Sequence, residues 1–119
     1  MLQPSVLNRK GGFIILTSVG VSFVIPVYNS AQSLEELAER IHAVMAENGN
    51  SFEIIMVDDG SRDESWQVIT GLIGKYPLLK GIQLSRNYGQ HNALLCGIRA
   101  ARMPLIITID DDLQTPPEE

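Results

Sequence analysis

The chain has 119 residues, with 14 acidic against 9 basic side chains, so its formal net charge is −5 at neutral pH. A hydrophobic fraction of 45% with 19% charged residues excludes a disordered chain and indicates one globular domain. The excess of acid disfavours a nucleic-acid-binding protein, which normally carries a basic surface. The single cysteine, Cys96, excludes an internal disulfide and a metal site built from several cysteines.

Residues 1–20 are predicted to be an N-terminal extension. Residues 11–34 carry no charge and include the apolar run 13–16, which faintly resembles a signal peptide or a membrane helix. A membrane span needs about 20 mainly apolar residues. Here polar or small residues interrupt the run at Thr17, Ser18, Gly20 and Ser22. We therefore expect a lead-in segment followed by a buried strand, and no convincing membrane helix.

From residue 21 onward, the hydrophobic pattern predicts alternating strands and helices. Apolar runs predict strands over residues 21–27, 52–57, 79–84 and 105–109. Three helices are expected between them: one from 34 to the Asn48-Gly49 stop, one ending at Pro77, and one over 90–102. The patterns Ser33–Glu36 and Ser61–Glu64 are typical of capping boxes at the first two helix starts.

This alternation is typical of right-handed parallel βαβ units and predicts a Rossmann-like α/β fold with helices on both faces of the sheet. The usual arrangement places the fourth strand beside the first, on the side away from the second and third. The strand order reverses there, and a crevice opens at the carboxyl ends of the strands, where ligands of open α/β sheets bind. Polar residues are concentrated in the loops that reach this edge, at 26–29, 58–61, 85–89 and 110–114.

Three consecutive aspartates follow the fourth predicted strand. In extended backbone, Asp110 and Asp112 point the same way while Asp111 points elsewhere, and Gln114 continues the alternation. Two carboxylates about 6 Å apart repel by roughly 3 kcal/mol, a cost that a divalent cation removes. The oxygen ligands suit Mg²⁺ or Mn²⁺. Alternatively, Asp110 or Asp111 caps the following turn and the other carboxylates are only solvated.

Two further segments have both a structural and a functional interpretation. In 58–61, aspartate and glycine suit a tight turn, while one aspartate can also accept a hydrogen bond from a base or ribose. Arg86 is either a surface charge or a contact to phosphate. Neither a phosphate-binding loop nor a dinucleotide-binding glycine motif is present, so a metal would have to neutralise any bound phosphates.

Four segments in chain order, 24–29, 55–63, 84–91 and 109–119, carry a resemblance to a known family. With them, the chain resembles the N-terminal, nucleotide-binding half of family-2 glycosyltransferases with the GT-A fold. It looks most like the polyprenyl-phosphate sugar transferases that act on undecaprenyl phosphate, the 4-deoxy-4-formamido-L-arabinose and bactoprenol glucosyl transferases. Residues 21–119 would then be a partial domain that is truncated at its C-terminus.

The resemblance implies a role for each matching residue. Contacts to the nucleotide sugar are implied for Pro26, Tyr28, Val57, Asp59, Asp110 and Asp111, and Arg86 joins this set as the candidate phosphate contact described above. Asp110 and Asp112 match the outer members of the Asp-x-Asp motif and are expected to be catalytic and to hold the metal, with Gln114 as a further metal ligand. Two residues depart from the family pattern. Asp111 stands where many relatives have Ala, which implies a weaker, backbone-only role, and Ser30 stands where Glu is usual.

The implied reaction is metal-dependent, inverting transfer of a sugar from a nucleotide donor, UDP-linked rather than GDP-linked, to a polyprenyl phosphate. Mg²⁺ or Mn²⁺ would stabilise the leaving diphosphate. The full-length protein would work at the cytoplasmic face of the inner membrane, in modification of the cell envelope. The fragment would hold mainly the donor half, bind donor weakly and turn over little.

Three other classes share part of this pattern. A haloacid-dehalogenase-like phosphatase also has an Asp-x-Asp motif after a strand, but it normally has Thr or Val where Gln114 stands. A receiver domain also has an acidic metal pocket, but its acid pair normally follows the first strand. The third alternative is a non-catalytic nucleotide-binding module.

Overall fold

The computed structural model describes residues 5–7, 13–15 and 19–111. The described elements are, in chain order, β1 (Ser5–Leu7), β2 (Phe13–Ile15), β3 (Val21–Val27), α1 (Leu34–Asn48), β4 (Phe52–Asp58), α2 (Ser65–Lys75), β5 (Leu79–Gln83), α3 (Gln90–Ala100) and β6 (Leu105–Thr108). The four predicted strands are β3, β4, β5 and β6, and their bounds differ from the expected ones by at most one residue.

The main sheet has the strand order β5-β4-β3-β6 with all pairs parallel, which confirms the predicted order and its reversal between β3 and β6. In the register, Val21 lies opposite Phe52 on one side and Leu105 on the other. The apolar run near residue 13, expected as a lead-in, forms a strand instead: β1 and β2 pair antiparallel as a separate two-stranded sheet.

Helices cover both faces of the main sheet, as predicted. Since side chains alternate along a strand, Phe23, Ile25 and Val27 face the layer formed by α1 and α2, while Val24 faces α3. Every residue of β3 is buried, which explains why its sequence is almost continuously apolar. In the part of the chain that the structure describes, no helix has both the length and the hydropathy that crossing a bilayer requires.

Both predicted capping boxes are wrong in their hydrogen bonds. Ser33 does occupy the N-cap of α1, but its hydroxyl donates to the backbone oxygens of Asp111 (2.6 Å) and Ser30 (3.3 Å) instead of capping the helix. Helix α2 begins later than expected, with Glu64 at its N-cap, and Ser61 accepts a hydrogen bond from the backbone of Asn29. In both cases a partner from another loop replaces the local one.

Candidate functional site

An open cleft of about 480 Å³ lies at the carboxyl edge of the sheet, where the strand order reverses. This size is within the usual range of small-molecule sites. Three loops and the end of β6 surround it: the β3–α1 loop (28–33), the β4–α2 loop (59–64) and the β5–α3 loop (84–89). The described lining residues are Pro26, Val27, Tyr28, Asp59, Asn87, Gly89, Gln90, Asp110 and Asp111.

Asp59 anchors the β5–α3 loop at the wall of the cleft. Its side chain is 3% exposed, and its two carboxylate oxygens accept backbone N–H groups from Tyr88 (2.7 Å) and Gly89 (3.1 Å). Gly89 makes this geometry possible with φ of +100°, which L side chains rarely adopt. Asp59 therefore fixes the position of the loop as well as lining the cleft.

Gly60 lets the β4–α2 and β5–α3 loops touch. Its φ is +75°, and a Cβ at this position would collide with the backbone of Arg86 and Asn87. The turn that was predicted from aspartate and glycine over 58–61 therefore needs glycine for two reasons, its conformation and the close approach of a neighbouring backbone.

Hydrogen bonds also join the β3–α1 loop to the β4–α2 loop. The side-chain oxygen of Asn29 accepts the backbone N–H of Arg62 (2.8 Å), while the backbone N–H of Asn29 donates to Ser61 Oγ (2.9 Å). Asp63 accepts from Ala31 N (3.3 Å) and from the backbone and hydroxyl of Ser65. Burial alone would raise the pKa of Asp63, but the hydrogen bonds from Ser65 outweigh it and lower the pKa. The cleft is thus preorganised by polar contacts between loops.

The end of β6 is tied to the β3–α1 loop through Asp111. Its Oδ2 accepts the backbone N–H of Tyr28 (2.9 Å) and the hydroxyl of Ser30 (2.5 Å), and its backbone oxygen accepts Ser33 Oγ. The side chain of Asp111 makes two of these three contacts within the fold, while its backbone-only role toward the donor stays a prediction.

Asp110 differs from its neighbour in being exposed, and no described residue donates a hydrogen bond or forms an ion pair to its carboxylate. No lysine or arginine is among the described lining residues of the cleft. A phosphate group in this cleft would therefore meet carboxylates rather than cationic side chains. Exposed carboxylate oxygens are hard ligands that suit Mg²⁺ or Mn²⁺. Residues 19–111 contain no group of three His, Cys, Asp or Glu that could hold a metal ion by themselves.

The structure brings most of the described candidate residues together. Pro26, Tyr28, Asp59, Asp110 and Asp111 all line the cleft. The strand alternation expected through the aspartates is absent at Asp110 and Asp111, because β6 ends at Thr108, and both residues line the cleft. Asp112 and Gln114 lie outside the described residues.

Two candidates lie elsewhere. The side chain of Val57 is fully buried beneath α3 and does not line the cleft. The guanidinium of Arg86 lies 4.9 Å from the centre of the Tyr88 ring, outside the lining. Hydrogen bonds from the Ser85 hydroxyl and Arg86 lower the pKa of the Tyr88 phenol.

Sequence reasoning placed the 85–89 loop at this edge but assigned no individual role to three lining residues in and directly after it: Asn87, Gly89 and Gln90. Asn87 accepts the backbone N–H of Gly89 (2.9 Å). The combination of Asn and Gly just before a predicted helix is a turn signal that could have identified them.

Comparison with known proteins gives close relatives over most of this chain. It is 49% identical over 100 residues to the undecaprenyl-phosphate 4-deoxy-4-formamido-L-arabinose transferase of Pseudomonas aeruginosa. The match includes 83% of this chain and 30% of the relative, so the chain spans about a third of the length of the curated relatives it matches.

Two solved structures share the fold. Staphylococcus aureus TarS 1-349 in complex with UDP superposes with a TM-score of 0.66 at 27% identity, over 78% of this chain and 27% of that one. The mannosyltransferase PcManGT of Pyrobaculum calidifontis, in complex with GDP-Man and Mn²⁺, has a TM-score of 0.67 at 24% identity, over 77% and 27% of the two chains. The neighbours are GT-A glycosyltransferases, which confirms the predicted fold class.

The family model described as glycosyl transferase family 2 matches residues 22–119. The chain belongs to glycosyl transferase family 2.

Proposed function

We propose that this chain forms the donor-binding half of a glycosyltransferase that moves a sugar from a UDP-linked donor to a polyprenyl phosphate. One observation carries the proposal: Asp59, which follows β4, and Asp110 and Asp111, which follow β6, line one cleft at the switch point of the sheet. The relatives that are 49% identical are named for transfer to undecaprenyl phosphate, which supports the acceptor class.

In the proposed site, the nucleoside lies against the β3 end of the cleft. Pro26 and Tyr28 offer apolar surface there, and the Tyr28 ring is 42% exposed and able to stack. The carboxylate of Asp59 lies at the same wall and can accept an N–H of the base. UDP is favoured over GDP because of the TarS complex, the ligand-bound neighbour of higher identity.

The diphosphate lies toward Asp110 in this proposal. Mg²⁺ or Mn²⁺ would be held there by Asp110 and, we propose, by Asp112 and Gln114. When bound, it supplies Lewis-acid stabilisation of the leaving diphosphate. Asp110 contributes an exposed carboxylate with no partner in residues 19–111. Because a lipid phosphate is already anionic at neutral pH, the attack needs no strong protein base, and in-line attack inverts the anomeric centre.

The acceptor is a membrane lipid, so we propose that the whole protein works at the cytoplasmic face of the inner membrane, on cell-envelope glycans or lipids. The described carboxylates belong to the donor side of this reaction.

The test is calorimetric titration of UDP and GDP into the chain, with MnCl₂, with MgCl₂ and with EDTA. UDP is expected to bind with metal and to lose at least about tenfold in affinity with EDTA or in Asp110→Asn, since charge-assisted contacts are removed. The matched control is Glu39→Gln, which neutralises an exposed carboxylate on α1 that does not line the cleft. Equal UDP affinity in EDTA, or equal losses in Asp110→Asn and Glu39→Gln, would contradict the proposal.

A further inference from the structure

We propose that Asp111 is a positioning residue: through Ser30 and Tyr28 it holds the acidic turn after β6 in the orientation that binds the donor. The inference rests on the proposed function, since it assigns Asp111 a task in the same donor site. It goes beyond that proposal in giving Asp111 a task that needs no contact with the donor or the metal.

The hydrogen-bond geometry separates the two neighbouring aspartates. Asp111 Oδ2 already accepts two hydrogen bonds, from Tyr28 N at 2.9 Å and from Ser30 Oγ at 2.5 Å. Ser33 Oγ adds a third bond, 2.6 Å long, to the Asp111 backbone oxygen. No described residue bonds either carboxylate oxygen of Asp110, whereas in Asp111 this is true of Oδ1 alone.

These bonds connect the two strands between which the cleft opens. Asp111 follows β6, whereas Tyr28, Ser30 and Ser33 lie in the loop after β3. Strand β6 pairs with β3 only where Leu105–Thr108 lie opposite Val21–Val24. The ladder of hydrogen bonds therefore ends before either strand reaches the cleft. Beyond the ladder, the backbone bond from Ile109 N to Val24 O and the contacts of Asp111 hold the two chain segments together. Removing the Asp111 side chain would leave the Ser33 bond and the Ile109–Val24 bond across this gap, and Asp110 would be held less firmly relative to Tyr28.

The experiment compares Asp111→Ala, Asp111→Asn and Ser30→Ala with the unchanged chain, by titration of UDP in MnCl₂. We expect Asp111→Ala to weaken UDP affinity about tenfold and Ser30→Ala about fivefold, because each removes a hydrogen bond to a charged group. Asp111→Asn is expected to remain within about threefold, because its amide oxygen still accepts from Tyr28 N and Ser30 Oγ. The double variant Asp111→Ala with Ser30→Ala should bind no more weakly than Asp111→Ala alone.

Calorimetry separates positioning from unfolding, since a partly unfolded variant lowers the number of sites while a mispositioned one changes Kd. Amide hydrogen exchange of Tyr28 supplies a readout that needs no ligand: exchange should accelerate at least about tenfold in Asp111→Ala and little in Asp111→Asn. Both results together support the positioning role.

Two results would overturn it while UDP still binds the unchanged chain. A loss of UDP affinity in Asp111→Asn as large as in Asp111→Ala would mean that the negative charge of Asp111 itself acts as a ligand. Unchanged or tighter UDP binding in Ser30→Ala would mean that the Ser30 hydroxyl only competes with the ligand for the Asp111 carboxylate. Failure of the unchanged chain to bind UDP with any metal would instead overturn the proposed function, and the positioning role with it. Unchanged Tyr28 exchange in Asp111→Ala would refute the contact itself.

Discussion

Two glycines in loops show that the contact between the loops at the cleft depends on single residues. Gly60 and Gly49 have nearly the same backbone conformation, with φ of +75° and +73°, but different surroundings. A Cβ at Gly60 meets the backbone of the β5–α3 loop, whereas a Cβ at Gly49 has nothing within 4 Å. The pair therefore separates the cost of the conformation from the cost of the contact.

We predict that Gly49→Ala lowers the free energy of unfolding by about 1 kcal/mol, the usual cost of this conformation for an L residue. Gly60→Ala should cost at least about 2 kcal/mol more, because two loops must separate. Urea unfolding followed by circular dichroism measures both values. Equal losses in the two variants would show that the loops move apart without cost.

Glu53 is a buried carboxylate near the amino end of β4, at the end of the sheet opposite the cleft. It accepts Ser22 Oγ (2.6 Å) and Arg102 N (2.7 Å) and pairs with Lys80 Nζ (2.8 Å). Burial alone would raise the pKa of Glu53, but the bonds from Lys80, Ser22 and Arg102 outweigh it and hold the pKa below its ordinary value of 4.5.

Because the folded pKa is the lower one, Glu53 stabilises the protein above pH 4.5, and this stabilisation disappears as the pH falls through the folded pKa. We predict that Glu53→Gln lowers the free energy of unfolding by about 1–3 kcal/mol at pH 7, and that the deficit shrinks as the pH falls from 4.5 through the folded pKa. Urea unfolding across this pH range measures it. The control is Glu35→Gln, which removes an exposed ion pair with Lys75 and should cost far less. A deficit that is as large below the folded pKa as at pH 7 would contradict the assignment.

At the scale of elements, helix α3 lies very close to the sheet because of a glycine. A Cβ at Gly97 would collide with Val24 Cγ1 and lie 3.1 Å from Val57 Cγ2. Since the β5–α3 loop enters this helix, the approach of α3 also sets the position of the loop at the cleft. By contrast, Gly71 and Gly74 in α2 have nothing within 4 Å.

We predict that Gly97→Ala lowers the free energy of unfolding by about 1–3 kcal/mol through overpacking. Gly74→Ala should raise it by about 0.5–1 kcal/mol, since alanine is the better helix former. Thermal or urea unfolding of the two variants decides the point. A stabilising Gly97→Ala would mean that α3 can shift outward without loss.

At the scale of the whole molecule, β6 forms one edge of the described main sheet and pairs there with β3 alone. Leu105 and Ile106 are 37% and 38% exposed on it. Exposed apolar edge strands promote pairing between chains. We therefore expect the 119-residue chain to self-associate at raised concentration.

Ile106→Lys should reduce this association, because a charged edge residue opposes strand pairing. Sedimentation velocity over a concentration series measures it. Val44→Lys is the control, since Val44 is 54% exposed but lies on α1. An equal effect of both substitutions would indicate general solubility rather than edge pairing.

The sequence alone was enough to predict the strands and helices of residues 21–108, the strand order of the main sheet and the edge of the sheet that carries the cleft, but not β1 and β2. These follow from periodicity and from the right-handed crossover, which are local or general properties of the chain. It was also enough to predict that Asp59, Asp110 and Asp111 reach that edge. Only the tertiary structure decided how the polar side chains there are used. Ser33 and Ser61 bond to other loops rather than cap their own helices, and Asp111 holds Ser30, because hydrogen bonds form with whichever partners the fold brings close.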